Sequence, residues 1–197
     1  MTRAFRLGLT GSIGMGKSTA AAMFAEAGCA VWDADASVHR LYAPGGAAVP
    51  EIARLRPEAV GPQGVSRAAL KDWIATDPAA LARIEAVVHP LVAADRAAFL
   101  DTAAAPVAVC DIPLLFEGGL EREFDATAVV TAPPKVQRTR VLARPGMTEA
   151  HFAAILAKQM PDAEKRARAD YLIPSETLET ARAAVRHILD DIGSRHA

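Results

Sequence analysis

The segment from Gly11 to Thr19 constrains the fold of this chain more than any other. Its residues, GSIGMGKST, fit the pattern G-x-x-x-x-G-K-[ST] in full. The apolar segment 4–10 before it predicts a buried strand, and the Ala-rich segment 17–27 after it predicts a helix that ends at Gly28. A glycine loop between a strand and a helix turns backbone N–H groups toward phosphate, at the positive end of the helix dipole. The motif therefore predicts a nucleotide site within a βαβ unit.

Individual residues of this loop have distinct predicted roles. Lys17 is expected to reach the β- and γ-phosphates of ATP, and the Ser18 hydroxyl to bind Mg²⁺. The loop residues predicted to bind the nucleotide are Gly14, Met15, Gly16, Lys17, Ser18 and Thr19. The same loop occurs in GTPases, motors and small-molecule kinases. Guanine-specific GTPases usually carry an Asn-Lys-x-Asp motif, and this sequence contains no asparagine, so a GTPase switch is disfavoured.

Predicted strands and helices alternate along the rest of the chain. Strands are predicted at 29–33, 106–111, 126–131 and 171–173, and helices at 133–144, 148–159 and 178–192. This alternation predicts an α/β P-loop NTPase fold, in which helices cover both faces of about five mostly parallel strands. Residues 36–103 predict an all-helical insertion without a strand, interrupted at 44–46, at 61–64 and before Pro90. We expect a single domain whose core comprises 1–35, 104–132 and 169–197.

Composition narrows the classes of partner. Apolar residues make up 51% of the 197 residues, enough for a sizeable core, and the net charge of −1 gives no global attraction to nucleic acid or anionic membranes. Cys29 and Cys110 lie among apolar residues and are interpreted as reduced core thiols. No signal peptide or membrane-length apolar run is evident, so the sequence predicts a cytoplasmic protein, with a monomer as the default.

Two aspartates follow the second predicted strand, in the run Asp33-Ala34-Asp35. Ligands of open parallel sheets bind at the carboxyl ends of the strands, where a carboxylate can orient and deprotonate an acceptor hydroxyl. We therefore predict Asp33 as the catalytic base. Asp35 binds the acceptor or caps a helix that begins near Ala36, and the alternative that both residues only cap that helix stays open.

Two further carboxylates belong to the third predicted strand and the segment after it. Asp111 closes an apolar strand, a pattern typical of the Walker B carboxylate that binds Mg²⁺ directly or through water. Glu117, six residues later, binds substrate or lies on a solvated loop. His89, on a half-apolar helix of the insertion, suits packing or proton transfer. The histidines and cysteines show no metal-ligand spacing, so Mg²⁺ brought with ATP is the only metal expected.

Basic residues concentrate in segment 133–168, which has eight lysines and arginines against three acids. Arg140 and Arg144 are four residues apart, hence on one helical face, and arginine binds phosphate oxygens through paired donors. Thr148 is expected to cap the next helix. This arrangement predicts a lid that closes over ATP. Three other basic residues are interpreted as a solvated face: Lys135, Lys165 and Arg166.

Taken together, these segments resemble the dephospho-CoA kinases along nearly the whole chain. The segments that carry the resemblance are TGSIGMGKST (10–19), DAD (33–35), RAAL (67–70), VHPLV (88–92), DIPLLFE (111–117), the stretch from Arg140 to Gln159, and ADYLI (169–173). The resemblance implies transfer of the ATP γ-phosphoryl group to the ribose 3′-hydroxyl of dephospho-CoA. It implies that Asp33 deprotonates this hydroxyl, that 36–103 binds CoA, that 133–168 is the lid, and that Arg140 contacts the transferring phosphate.

The predicted site follows from these assignments. The catalytic residues are Asp33, Lys17 and Arg140; Arg144 joins the loop in binding ATP; Asp33, Asp35, His89 and Glu117 bind dephospho-CoA; Ser18 and Asp111 bind Mg²⁺. Two departures from the family pattern are Met15, where a small residue is usual, and Pro174-Ser175-Glu176, where many relatives carry an asparagine near the adenine.

Two other functions fit some of these sequence features. One is a small-molecule kinase of the same fold that acts on a nucleoside monophosphate, shikimate or gluconate, although such an enzyme is expected to lack the DIPLLFE stretch. The other is a non-catalytic ATP-binding regulator. Asp33 and the paired arginines disfavour a pure binder, because binding alone requires neither a base nor a charged lid.

Overall fold

The computed structural model describes residues 3–195 and contains a five-stranded sheet and a separate hairpin. The strands are β1 (Phe5–Thr10), β2 (Ala30–Asp33), β3 (Val60–Gly61), β4 (Gly64–Val65), β5 (Val107–Asp111), β6 (Ala126–Thr131) and β7 (Tyr171–Pro174). The helices are α1 (Lys17–Glu26), α2 (Ala34–Tyr42), α3 (Ala48–Leu55), α4 (Arg67–Thr76), α5 (Ala80–Thr102), α6 (Pro134–Leu142), α7 (Glu149–Leu156), α8 (Asp162–Arg168) and α9 (Leu178–Arg195). Short 3₁₀ turns occupy Pro57–Ala59 and Leu120–Glu123.

The large sheet has the strand order β2-β5-β1-β6-β7. Parallel pairing joins β1 to β5, with Leu9 opposite Asp111, and β1 to β6, with Thr10 opposite Val129. All five residues of β5 are buried, which explains why a continuous apolar run and not an alternating one marks this strand. The predicted parallel α/β fold with P-loop architecture is confirmed. The carboxyl ends of β1 and β5 meet at one edge, directly before the glycine loop.

By contacts, the chain divides into two compact units. The first comprises the described residues up to Val31 together with those from Ala103 onward. Its core is a cluster in which α1 and α9 pack with the sheet, and it includes Leu7, Leu9, Phe24, Val109, Ile173 and Ile188. The second unit is Trp32–Thr102, and its own apolar cluster includes Ile52, Leu70, Trp73, Ile84 and Val88.

Two predictions for the second unit are wrong. The segment is not all-helical, because β3 and β4 form a short antiparallel hairpin that pairs Val60 with Val65. The predicted interruption at 61–64 is the turn of this hairpin, whose strands of two residues each are too short to leave a periodic pattern. The chain also does not break before Pro90, which lies inside the continuous helix α5. Pro90 and Ala86 are both exposed, so water can reach the carbonyl that proline leaves without a donor.

In the first unit, the predicted strand 126–131 has the observed bounds, whereas α8 was not predicted. α8 is short and highly charged, with Asp162 and Glu164 in its first turn and basic residues in its last. These charges complement the helix dipole but leave no clear apolar period. Cys29 and Cys110 are free thiols, as predicted. Among residues 3–195, no helix is long and apolar enough to cross a membrane.

Candidate active site

The glycine loop joins β1 to α1 through two residues with positive φ, Gly14 at +77° and Gly16 at +89°. A side chain at Gly14 would also collide with α6, because an added Cβ would lie 2.4 Å from Val141 Cγ2. Gly16 occupies the N-cap of α1 and has no side chain with which to cap it. The first N–H groups of α1 therefore face the site without a side-chain cap, which is the arrangement that binds phosphate.

Lys17 and Asp111 form an ion pair between Nζ and Oδ1. The Lys17 side chain is 14% exposed and that of Asp111 is fully buried. The contact follows from topology, since Lys17 opens the helix after β1 and Asp111 ends the neighbouring strand β5. The structure thus brings the predicted phosphate-binding lysine and the predicted metal-binding carboxylate together. Ser18, the next residue of α1, is exposed at the same helix terminus.

Arg140 lies beside the loop on α6 and is half-buried. Its Nη2 donates to the carbonyls of Ser175 at 2.6 Å and Glu176 at 3.3 Å, and its Nη1 donates to Ser175 Oγ at 3.2 Å. A Cβ added to Gly16 would lie 3.7 Å from Arg140 Nη1. This guanidinium is therefore fixed next to the loop. Arg144 is exposed and lies beyond α6, which ends two residues earlier than the predicted helix.

Asp33 is both the last residue of β2 and the N-cap of α2. Its Oδ1 accepts the backbone N–H of Ala36 at 2.6 Å. The interpretation that Asp35 caps this helix is wrong, because α2 begins at Ala34 and places the exposed Asp35 within its first turn. The cap fixes the direction of the Asp33 carboxylate relative to its strand.

Asp95, which the sequence did not indicate, organises the surroundings of Asp33 in the second unit. Its Oδ2, on α5, accepts from Trp32 Nε1 and Arg40 Nη2, both at 2.7 Å. Burial acts to raise the pKa of Asp95, but hydrogen bonds from Trp32 and Arg40 outweigh it and lower the pKa. Asp95 therefore stays charged and ties α5 to the segment that carries Asp33. Trp32 and Trp73 are buried.

Glu117 and Lys165 form a second ion pair, with 2.9 Å between Oε1 and Nζ. Glu117 Oε1 also accepts the N–H of Met160 at 2.8 Å. Lys165, predicted on a solvated face, is fully buried instead, because α8 turns it inward toward this carboxylate. Lys135 and Arg166 are exposed, as predicted. His89 is exposed on α5.

Three polar side chains that the sequence did not indicate hold the backbone of the loop. Gln159 Oε1 accepts the N–H of Ile13 at 3.1 Å, and Gln137 Nε2 donates to the Ile13 carbonyl at 2.8 Å. Ser175 Oγ donates to the carbonyl of Met15 at 2.5 Å. No local signal identifies these residues, because each lies more than 120 positions from its partner. Thr148 caps α7, as predicted.

A cavity of about 500 Å³ lies at the carboxyl ends of β6 and β7. Residues that line it include Met15, Pro133, Pro134, Leu172, Pro174 and Ser175. The buried Met15 side chain thus connects this mostly apolar cavity with the glycine loop. Within residues 3–195, no group of three or more His, Cys, Asp or Glu side chains is placed to hold a metal.

Comparison with known protein families gives a match to the dephospho-CoA kinase family over residues 5–179. A dephospho-CoA kinase of Cereibacter sphaeroides is 63% identical over 190 residues, which cover 96% of each chain. That of Ruegeria pomeroyi is 60% identical over 195 residues, which cover 98% of this chain and 99% of the relative.

Solved structures with a similar fold include TT1252 from Thermus thermophilus, with 35% identity and a TM-score of 0.84 over 96% of this chain and 98% of that one. The dephospho-CoA kinase of Campylobacter jejuni has 18% identity and a TM-score of 0.65 over 95% and 96% of the two chains. The shikimate kinase of Acinetobacter baumannii has 17% identity and a TM-score of 0.56 over 98% and 95%. At these last two identities the likeness concerns the fold alone.

Proposed function

Because the chain belongs to the dephospho-CoA kinase family, we propose that it transfers the γ-phosphoryl group of ATP to the ribose 3′-hydroxyl of dephospho-CoA. The products are ADP and coenzyme A. The observation that carries the proposal is the Lys17–Asp111 pair at the mouth of the glycine loop, in a chain that matches the family over residues 5–179. The pair supports the proposal, because a cation suited to phosphate and a carboxylate suited to a metal ion meet beside the glycine loop.

ATP binding divides between the loop and the cavity beside it. The N–H groups that open α1 bind the β-phosphate, and Lys17 bridges the β- and γ-phosphates. Arg140, fixed beside Gly16, supplies positive charge to the transferring phosphoryl group, and Arg144 adds charge from the segment 133–168, which acts as a lid. The adenine ring occupies the cavity, where Pro174 and Met15 offer apolar surface to its faces.

The oxygen donors near Lys17 also fit Mg²⁺. The Asp111 carboxylate and the Ser18 hydroxyl are hard ligands of the kind this ion prefers, and phosphate oxygens and water would complete its coordination. When bound, Mg²⁺ neutralises charge on the phosphates. Asp111, at the rigid end of a fully buried strand, is well placed to keep such an ion in register with the loop.

Asp33 acts as the general base of this reaction. The 3′-hydroxyl oxygen attacks the γ-phosphorus, its proton passes to the Asp33 carboxylate, and the bond between the γ-phosphorus and the oxygen that leaves with ADP breaks. The helix cap holds the carboxylate at the end of a sheet strand, where ligands of such sheets bind. The segment 36–103 binds dephospho-CoA, with Asp35 and His89 as contacts. Glu117 is a further proposed contact of this substrate.

A coupled assay of ADP release tests the proposed reaction directly. Dephospho-CoA, AMP, adenosine and shikimate are offered in parallel with MgATP. We expect turnover with dephospho-CoA that exceeds that with the other acceptors by several orders of magnitude. Turnover with AMP or shikimate but not with dephospho-CoA would contradict the proposal.

The variant Asp33→Asn tests the assignment of the base. Asparagine caps helices as well as aspartate does, so the fold is expected to survive while proton transfer is lost. We expect kcat to fall by about 10²- to 10⁴-fold, with the affinity for ATP nearly unchanged. The matched variant Asp35→Asn is expected to raise KM for dephospho-CoA and to change kcat much less. If Asp33→Asn retained wild-type kcat, another group would be the base.

A further inference from the structure

Ile13, in the middle of the glycine loop, is held on both sides by glutamine side chains. Gln159 Oε1 accepts its N–H, and Gln137 Nε2 donates to its carbonyl. The two glutamines reach the loop from different directions, since Gln137 belongs to α6 and Gln159 follows α7. Both backbone polar groups of Ile13, its N–H and its carbonyl, are therefore hydrogen-bonded to side chains from outside the loop.

The chemistry of the amide fixes this arrangement. A glutamine offers an acceptor oxygen and a donor nitrogen on one neutral group, and its two ends are usually assigned from their partners. Here the backbone leaves one choice for each residue. Only an oxygen can accept the Ile13 N–H, and only an NH₂ group can donate to the Ile13 carbonyl. A lysine could also donate to the carbonyl and a carboxylate could also accept the N–H, but either would bring a charge beside the phosphates.

Gln137 is placed by close packing of α6 under the loop. Its side chain is only 7% exposed, and an added Cβ at Gly14 would lie 3.1 Å from the Gln137 carbonyl oxygen. The same turn of α6 presents Val141 to Gly14. The shape of the loop and the position of this helix are therefore coupled by contact as well as by the hydrogen bond to Ile13.

Gln159 is placed by anchors in the residues that follow it. The next residue, Met160, donates its N–H to Glu117, which pairs with the buried Lys165 of α8. Asp162 Oδ2, at the start of α8, accepts from Thr131 Oγ1 at 2.8 Å. These contacts tie the segment that carries Gln159 to the end of β6 and to the loop that follows β5.

We propose that Gln137 and Gln159 are positioning residues for nucleotide binding, which hold Ile13 and so keep the loop in the shape that accepts the β-phosphate. This inference rests on the proposed function in taking the loop as the site of ATP. Neither glutamine touches the reacting atoms. Each acts through the backbone, and loss of either bond frees a loop whose N–H groups must converge on one phosphate.

Amide hydrogen exchange of Ile13, followed by NMR on the full chain without nucleotide, tests the bond from Gln159. We expect Gln159→Met to exchange this amide at least tenfold faster than the wild type. Gln159→Glu keeps an acceptor oxygen at the same reach and is expected to retain the wild-type rate within threefold. A role in packing alone would make the two variants alike, and that outcome overturns the assignment.

Calorimetric titration with MgADP tests the consequence for binding. Gln137→Met and Gln159→Met are each expected to weaken ADP affinity about fivefold, the typical effect of one hydrogen bond. The double variant is expected to lose less than the product of the two, since both hold one residue. Gln63→Met, at the exposed turn of the hairpin, is the matched control and is expected to leave ADP affinity unchanged.

Two results would overturn the inference. One is ADP affinity within twofold of the wild type in both single variants. The other is a lower midpoint of thermal unfolding with unchanged ADP affinity at a temperature where the variants are folded. If Gln137→Met does not fold, the Gln159 variants decide the question. Neither readout requires turnover, so failure of the dephospho-CoA assay would refute the proposed function and leave this inference standing.

Discussion

Lys17 and Lys165 each pair with a carboxylate from the same stretch of chain, one at the end of β5 and one six residues later. The burial of the two pairs is reversed. In the first, the carboxylate of Asp111 is fully buried and Lys17 is 14% exposed; in the second, Lys165 is fully buried and the Glu117 side chain is 18% exposed. In the first pair the lysine is the more exposed partner, and in the second pair the lysine is the one shielded from water.

This difference in burial suggests that the two lysine–carboxylate pairs have different roles. A lysine at the open mouth of a glycine loop can exchange its carboxylate for phosphate oxygens when ATP arrives. A lysine on the buried face of α8 pairs with Glu117, and this pair fixes the segment that carries Gln159. We therefore expect the first pair to govern turnover and the second to govern stability.

The largest effect is expected from Lys17→Met. This substitution removes the charge that we propose to bridge the β- and γ-phosphates, while keeping the length of the side chain. We expect kcat to fall by about 10³-fold, the loss typical of one preorganised charge at a transition state. The ADP-release assay measures it. If this variant kept the wild-type kcat, the claim that the Lys17 pair governs turnover would be contradicted.

Glu117→Gln is expected to have the next largest effect, on stability. It leaves the Lys165 ammonium fully buried without a counter-charge, although the amide can still accept the N–H of Met160. We expect the free energy of unfolding to fall by about 3 kcal/mol. Lys165→Met is expected to cost about half of that, because the carboxylate it leaves is partly exposed to water. Urea unfolding compares the two, and an equal or reversed order would contradict the burial argument.

The pair also predicts a dependence of stability on pH. Burial acts to raise the pKa of Glu117, but hydrogen bonds from Lys165 and the N–H of Met160 outweigh it and lower the pKa below its ordinary value of 4.5. The resulting stabilisation is complete above 4.5 and is lost as the pH falls through the folded-state pKa. The stability advantage of the wild type over Glu117→Gln is thus expected to shrink below pH 4.5. Urea unfolding between pH 6 and pH 3 measures it, and a constant difference would contradict the assignment.

Arg182→Met supplies the smallest effect and a baseline for both pairs. Arg182 Nη1 lies 2.7 Å from Glu26 Oε2, and the two side chains are 49% and 58% exposed. Exposed pairs of this kind contribute little, so we expect a change in the free energy of unfolding within about 0.5 kcal/mol. A loss comparable to that in Glu117→Gln would mean that burial is not what separates the pairs.

Much of the fold was predictable because its signals are local. The glycine loop, the apolar run that ends at Asp111, and the cap at Thr148 each report on their own few residues. The errors have local causes as well. The hairpin of Val60–Gly61 and Gly64–Val65 is too short to show a period, and Pro90 is tolerated in α5 because it lies on an exposed part of the helix.

The residues proposed to contact ATP and its metal ion were predictable from the sequence, but the residues that hold the glycine loop were not. Lys17 and Asp111 were identified separately, one by a motif and one by a strand ending in aspartate, and parallel pairing of β1 with β5 explains why they meet. Gln137 and Gln159 were missed. An isolated glutamine carries no motif, and its role depends on which backbone group lies opposite its amide.

The sequence by itself determined that this chain binds a nucleotide between a strand and a helix, because a glycine loop of that form depends on backbone conformation encoded within a few residues. Only the tertiary structure decided which lysine is buried away from water and which is accessible to a ligand. Lys17 and Lys165 are the same residue type, and each pairs with one carboxylate. The packing of α8 against the sheet, and not any neighbour in sequence, excludes water from one and leaves the other open to phosphate.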